Sequence, residues 1–400
     1  MRDIFAPNGD PAPGIVTTHD EFAISWTPEE AVQKVERLLA TQTEAEARGL
    51  FKLCSQDQWQ YARAKRELAD GKWREKIVPI LYRPFDVRWT VYDRNVAVHR
   101  RERVSDNMRD RRNVALIASR QRSLGSEGWA NAFATTGLIE SCSMSNKTKE
   151  INYLFPLWLY PRTSDDLLES TPKEKTANLA PEFIAALTQA VGTTPSPEDT
   201  LAYTYAILYA PSYRTRYADL LKRDFPRVPL TRNRELFDAL VEIGRELIAL
   251  HTMQATLSRI TGFPVPGSNE VVKVRYVLSP RPSGEGAPAG TGEGTHTRTV
   301  ALRETEPSPP TPLPVGEGSK PGRVWINDAQ YFDGVPESVW DMHIGGYRVA
   351  EKWLKDRKGR LLSFDDIEHY QHVIAALART LALQFDLDAC VKQAGGWPLH

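Results

Sequence analysis

The chain predicts an α+β fold: a mixed sheet core set between a helical N-terminal region, a central helical segment and C-terminal helices. Two observations predict it. Apolar residues recur at helical spacing before residue 75 and again between about 180 and 251, where Leu236, Leu240, Ile243, Leu247 and Leu250 share one face. Between those regions, from about Lys76, the pattern changes to short apolar or β-branched runs bounded by turn residues. The expected organisation is a helical region over 1–75, a β-rich core over 76–165, a helical segment over 166–265, and a C-terminal hairpin with helices over 266–400.

The first helix starts at a capping box: Thr27 at the N-cap, Pro28 at the first helical position and Glu30 at the third. Val32, Val35, Leu38 and Leu39 form its apolar face. A second helix is expected from about Asp57 to Leu68, stopped by Gly71. Ile77–Tyr82 and Arg88–Tyr92 read as strands, and Val114–Ala118 reads as a strand buried on both faces because it is apolar throughout. Gly137–Ile139 and Tyr153–Tyr160 are further strands, with Pro156 marking the latter as an edge strand or a bulge.

The central helices begin at Pro181, carry a stripe of Leu201, Tyr205, Leu208 and Tyr209, and break at Pro211. Another starts at Tyr213 and runs to Leu221. Glu270–Val277 and Arg323–Asn327 are expected to pair as strands around a low-complexity insertion at 278–321. That insertion is too poor in apolar residues to offset its chain entropy, so it is expected to be disordered. Ser363 caps a closing helix whose buried stripe is Ile367, Tyr370, Ile374, Leu377 and Leu381.

Charge is the most informative functional signal. Lys plus Arg equals Asp plus Glu at 51 each, yet Arg94, Arg100, Arg101, Arg103, Arg109, Arg111, Arg112, Arg120 and Arg122 crowd one segment with only Glu102, Asp106 and Asp110. Guanidinium groups donate paired hydrogen bonds to phosphate oxygens and to guanine, so this segment suggests nucleic-acid contact. A solvated basic face is the other reading. No apolar run is long enough to cross a bilayer, the N-terminus lacks a signal-peptide core, and Cys54, Cys142 and Cys390 form neither a disulfide framework nor a metal knuckle. These features lead to the expectation of a cytoplasmic chain without a membrane partner.

Six segments in order carry a family resemblance. Tyr82–Trp89 resembles the R-P-F-D-x-R-W segment in the C-terminal specificity region of type ISP restriction–modification enzymes. Asn113–Gln121 is similar to that family's strand ending in Arg-Gln, and Phe155–Pro161 to its F-P-L-x-L-Y segment. Tyr213–Tyr217 and Phe225–Leu230 resemble its Y-R-x-R-Y and F-P-R-I-P-L. Gly345–Tyr347 with Lys352–Arg360 resembles its closing signature.

The resemblance implies a target-recognition module with 76–165 as its recognition core and 1–75 as a coupling region. Its expected partners are double-stranded DNA and, in a split system, a methyltransferase and motor–nuclease polypeptide. S-adenosylmethionine, ATP and Mg are expected to serve those other domains, with no cofactor in this chain. The methyltransferase tetrapeptide, the Walker lysine loop and the helicase acidic box are absent from the sequence, so the expected role is non-catalytic. The chain is expected to be a separate specificity polypeptide or a fragment of a broken gene.

Reading DNA needs side chains on base edges as well as on phosphates. Arg120, Gln121 and Arg122, just past the buried strand, and Ser145, Asn146 and Lys147 in a second polar loop are the candidate base readers. Arg100, Arg101, Arg103, Arg109, Arg111 and Arg112 are the candidate phosphate contacts. Arg83 and Asp86 flank a turn and are expected to form a structural ion pair. Two alternatives stay open: a protein-docking module without DNA readout, and a cryptic metal-dependent hydrolase built on Asp365, His369 and His372, which share a helix face.

Overall fold

A computed structural model describes residues 1–5, 11–55, 57–109, 112–121, 128–147, 150–161, 174–279 and 321–399. The insertion thus falls almost wholly outside the described residues, as do Arg111 and Arg122. The N-terminal region contains α1 (Arg2–Phe5), the two-residue strand β1 (Ala12–Pro13), α2 (Asp20–Ala23), α3 (Pro28–Ala40), α4 (Glu44–Phe51) and α5 (Tyr61–Leu68). The Thr27 side chain accepts from the Glu30 backbone N–H, so the expected cap is present. Helix α5 starts four residues later than the sequence suggests. Trp59 is buried just before it, with its indole N–H donating to the Asn95 carbonyl.

The β-rich core contains β2 (Ile77–Arg83), β3 (Asp86–Val91), α6 (Glu102–Ser105), β4 (Ala115–Ser119), β5 (Ala132–Thr135), β6 (Leu138–Ile139), β7 (Asn152–Pro156) and β8 (Trp158–Leu159). One sheet has the order β1-β7-β4-β5 and another β3-β2-β6, with β2 and β6 parallel. Several crossings join them. The β5–β6 turn passes from one sheet to the other, and the segment from Ala12 changes partner, pairing with β7 at Pro13 and bridging to Glu140 at Ile15. Strand β4 is buried at every position, as its apolar run predicts. Strand β7 is interior rather than an edge, because β1 covers its other side. Pro156 is tolerated because its nitrogen faces away from β4, on the side where β1 pairs only as far as Tyr153 and Leu154.

The remaining elements are β9 (Thr176–Ala177), α7 (Pro181–Val191), α8 (Pro197–Tyr209), α9 (Pro211–Arg216), α10 (Ala218–Leu221), α11 (Arg234–His251), β10 (Arg275–Leu278), β11 (Pro321–Trp325), β12 (Tyr331–Pro336), α12 (Glu337–Trp340), β13 (His343–Ile344), β14 (Tyr347–Arg348), α13 (Val349–Lys355) and α14 (Phe364–Gln393). Strands β10, β11 and β12 form a third sheet, antiparallel throughout. One large apolar core draws on Ile15, Leu116, Leu208 and Leu377, so all four expected segments contribute to it. A second, smaller core fills the N-terminal region between Phe22 and Val96.

His251 closes the large core. Its ring lies among Phe85, Phe133, Tyr205 and Tyr209. Thr380 spends its hydroxyl proton on the Ala376 carbonyl at 2.8 Å, so His251 Nε2–H donates to Thr380 Oγ1 at 3.0 Å. Nδ1 then accepts from the Tyr205 hydroxyl at 2.6 Å. Burial, assisted by the Arg214 guanidinium, pulls the imidazole down to about 3. An unfolded histidine takes its proton at a pH of roughly 6.5. The unfolded state therefore binds more protons between those values, and stability falls as pH drops through that window. At a pH of about 5 the loss from this one group is about 2 kcal/mol. The unfolding free energy from urea titrations should fall between neutral pH and a pH of about 5 by about that much more in the wild type than in a His251→Gln variant.

Candidate nucleic-acid interface

Strand β4 separates the arginines that lie close together in sequence. Arg112 is exposed just before the strand, and Arg120 and Gln121 are exposed just after it. Eight residues of extended chain place the two arginines up to about 26 Å apart. The basic segment is thus two clusters at opposite ends of a sheet, not the continuous strip that its sequence suggests.

The first cluster gathers around Tyr92, whose hydroxyl donates to Asp106 at 2.9 Å. Burial and then the Asp106 carboxylate push this phenol upward. The Arg100 and Arg109 guanidiniums lie over its ring at 5.5 and 5.1 Å from the centre. Arg100 also pairs with Glu102, and Arg101 and Arg103 are exposed on and beside the α6 turn. Asn107 and Asn113 tie this segment to the sheet. Asn113 Nδ2 donates to the Asn107 and Trp158 carbonyls, Asn107 Oδ1 accepts from Tyr160 N–H, and the Tyr160 hydroxyl donates to the Arg112 carbonyl. The arginines are therefore presented from a stitched surface.

The second cluster lies where Ser119 pairs with Asn152. Arg120 Nε donates to Asp224 at 3.2 Å across the surface. Beside it a cleft of about 530 Å³ is lined by Tyr153, Phe225 and Arg227 among others. The polar loop that follows Ile139 arrives at the same end, since Asn152 N–H donates to the Ser141 carbonyl. Asn146 and Lys147 are exposed at its crest. Ser145 is not. It is 1% exposed, and its hydroxyl donates to Glu150 at 2.6 Å while accepting from Lys147 N–H. Ser145 shapes the loop and does not reach outward, which corrects its assignment as a base reader.

The loop is anchored by a carboxylate that sequence patterns alone do not single out. Glu140 is 4% exposed and accepts from Arg83 Nη1 at 2.9 Å, from the Ser141 hydroxyl and from Cys142 N–H, both at 2.8 Å. Burial pushes its carboxyl upward against the pull of Arg83. The one available signal was that Glu140 is the lone acid between Gly128 and Lys149.

Two other expectations are corrected. Arg83 pairs with Glu140, while Asp86 pairs with Arg88 and Arg357, so the two groups flanking the turn do not meet each other. The turn instead places Phe85 at a positive φ of 61° with its ring against Phe133. His369 Nε2 lies 2.8 Å from the Phe85 carbonyl and His372 Nε2 lies 3.0 Å from the Ala255 carbonyl. Each must carry a proton there, so neither Nε2 lone pair is free for a metal. Among the described residues no group of three His, Cys, Asp or Glu is placed to hold a metal ion. Nor is any helix among them long and apolar enough to cross a membrane.

The family model described as "Type ISP C-terminal specificity domain" matches residues 9–384. No curated protein matches the chain. Among solved structures, the ATP-dependent type ISP restriction–modification enzyme LlaBIII bound to DNA is similar over 94% of this chain and 23% of its own, at 16% identity and a TM-score of 0.60. A nuclease-deletion mutant of the type ISP enzyme LlaGI in complex with a DNA substrate mimic is similar over 96% of this chain and 32% of its own, with 15% identity and a TM-score of 0.58. The cryo-EM structure of a DrdV–DNA complex is similar over 94% and 35%, with 20% identity and a TM-score of 0.57. The chain thus spans between 23% and 35% of the length of these proteins, and at such identities the likeness shows a shared fold.

Proposed function

Because the chain belongs to the type ISP C-terminal specificity domain family, we propose that it clamps duplex DNA and reads its sequence for an adenine N6-methyltransferase and motor–nuclease carried elsewhere. The observation that carries this reading is the pair of exposed polar clusters at the two ends of a rigid, fully buried strand. Arg120, Gln121, Asn146 and Lys147 offer the donor and acceptor sets that base edges require. Arg100, Arg101, Arg103, Arg109 and Arg112 suit phosphate oxygens, which fix register without selecting sequence. The similar solved structures are described as DNA complexes, which supports duplex DNA as the ligand. The module holds and reads; S-adenosylmethionine, ATP and Mg act in the partner domains, where a target base must leave the stack to react.

Salt titration of DNA binding tests the phosphate role. Replacing Arg100, Arg101 and Arg103 together with alanine should flatten the slope of log K against log salt by about 0.9 for each phosphate that is no longer neutralised. An unchanged slope removes these residues from the footprint. Gln121→Ala should relax preference at one base pair by about 1–3 kcal/mol and leave nonspecific affinity nearly intact. Equal losses on every duplex would assign Gln121 to the backbone instead.

A further inference from the structure

The polar loop that carries Asn146 and Lys147 is gripped by an element some two hundred residues away in sequence. The β13–β14 hairpin turns at Gly345 and Gly346, and three of its groups bind the backbone in and beside the loop. Gly345 N–H donates to the Ala130 carbonyl and Gly346 N–H to the Met144 carbonyl, both at 2.8 Å. The Tyr347 hydroxyl donates to the Cys142 carbonyl at 3.1 Å. Gly345 has a φ of +61°, and a Cβ there would collide with the Met144 carbonyl oxygen. The approach is therefore close enough to require glycine on both counts.

The Arg83 side chain grips the loop from another side. It donates to the Cys142 carbonyl at 3.3 Å and to Glu140, with its guanidinium 5.4 Å from the centre of the Tyr347 ring. Ser145, directly before the exposed pair, is locked onto Glu150. The loop backbone is thus fixed up to the residue that precedes Asn146, and Asn146 and Lys147 are presented beyond it.

We infer that the hairpin sets which bases the loop can read, with Gly345 and Tyr347 as positioning residues for Asn146 and Lys147. This rests on the DNA-reading role proposed above. A side-chain amide reads an adenine edge through two hydrogen bonds at once, and such bonds weaken steeply with distance and angle. A loop displaced by a fraction of an ångström loses that geometry while still meeting the phosphates. Residues that never touch DNA then control discrimination without controlling general affinity.

The test selects sequences from a randomised duplex pool with the full chain, and measures affinity for the selected duplex and a scrambled one. Tyr347→Phe removes one hydroxyl; Gly345→Ala adds one methyl. Both should lower the preference for the selected duplex by about tenfold, within what one base contact supplies, and leave scrambled-duplex affinity nearly unchanged; the melting temperature should hold in Tyr347→Phe and fall in Gly345→Ala, whose methyl meets backbone atoms. In an Asn146→Ala, Lys147→Ala background neither change should cost further discrimination. Equal loss on both duplexes, unaltered selection, or an undiminished effect in that background would overturn the positioning role. Should Gly345→Ala fail to fold, Tyr347→Phe alone decides the question. A wild-type chain that selects no sequence would instead overturn the DNA-reading proposal, and the inference with it.

Discussion

Asp86→Ala should destabilise the chain by about 3–5 kcal/mol, the usual cost of stripping one partner from a buried charge network. Asp86 is 1% exposed and serves two arginines at once. One carboxylate oxygen accepts from Arg88 Nε and Nη2 at 3.2 and 2.9 Å, and the other accepts from Arg357 Nη2 at 3.0 Å. Both guanidiniums are themselves buried, and both stack on indoles. Arg88 lies 3.7 Å from the centre of Trp26, and Arg357 lies 3.4 Å from the centre of Trp353. Removing the carboxylate leaves two positive charges side by side with little water to screen them. The network also joins three distant parts of the chain: Trp26 before α3, the β2–β3 hairpin and the end of α13. Urea denaturation with a constant m-value checks the prediction. A loss below about 1 kcal/mol would mean that Asp356 and Asp366, at 3.8 Å from Arg88 and 3.7 Å from Arg357, take over the pairing.

Gly244→Ala should cost about 3 kcal/mol, and its sign matters as much as its size. At an ordinary helix position this change gains roughly 1 kcal/mol, because glycine is a poor helix former. In α11, however, Gly244 faces α8 so closely that a Cβ would collide with the Ala202 carbonyl oxygen and carbon. Those atoms are helix backbone and cannot swing aside, so the two helices must separate and loosen the core between them. Overpacking of this kind typically costs about 1–3 kcal/mol and sometimes more. A variant with a higher urea midpoint than the wild type would show that the helices yield easily.

Features encoded over a few residues were legible in the sequence. Thr27 and Ser363 cap their helices as their neighbours dictate, and β4 is buried because Ala115–Ala118 are apolar without a break before Ser119 ends the strand. The apolar stripe of α11 faces the core as its spacing requires. The family was legible as well, because six ordered segments resembled one pattern and its model matches residues 9–384. What stayed hidden were pairings across long separations. Arg83 finds Glu140 57 positions away and Asp86 finds Arg357 271 positions away, whereas the nearer pairing across the turn does not form. The split of the arginine segment was hidden for a related reason. Eight residues look short in a sequence, but drawn out as a strand they span a sheet. Ser145 read as a surface group by composition, and only the Glu150 carboxylate beside it explains its burial.

Helix α14 has a bearing on how the protein is made. Its thirty residues span about 45 Å. Along that length it meets the Phe85 carbonyl through His369, the Thr261 carbonyl through Gln371, His251 through Thr380 and Ser212 through Asp388. Every one of those partners leaves the ribosome earlier. A nascent chain that has not yet released residues 364–393 therefore carries an open seam of aromatic and aliphatic side chains, a period in which chaperone binding would be favoured. A premature stop codon anywhere before this segment would leave that seam open for good, and such products should be cleared by proteases.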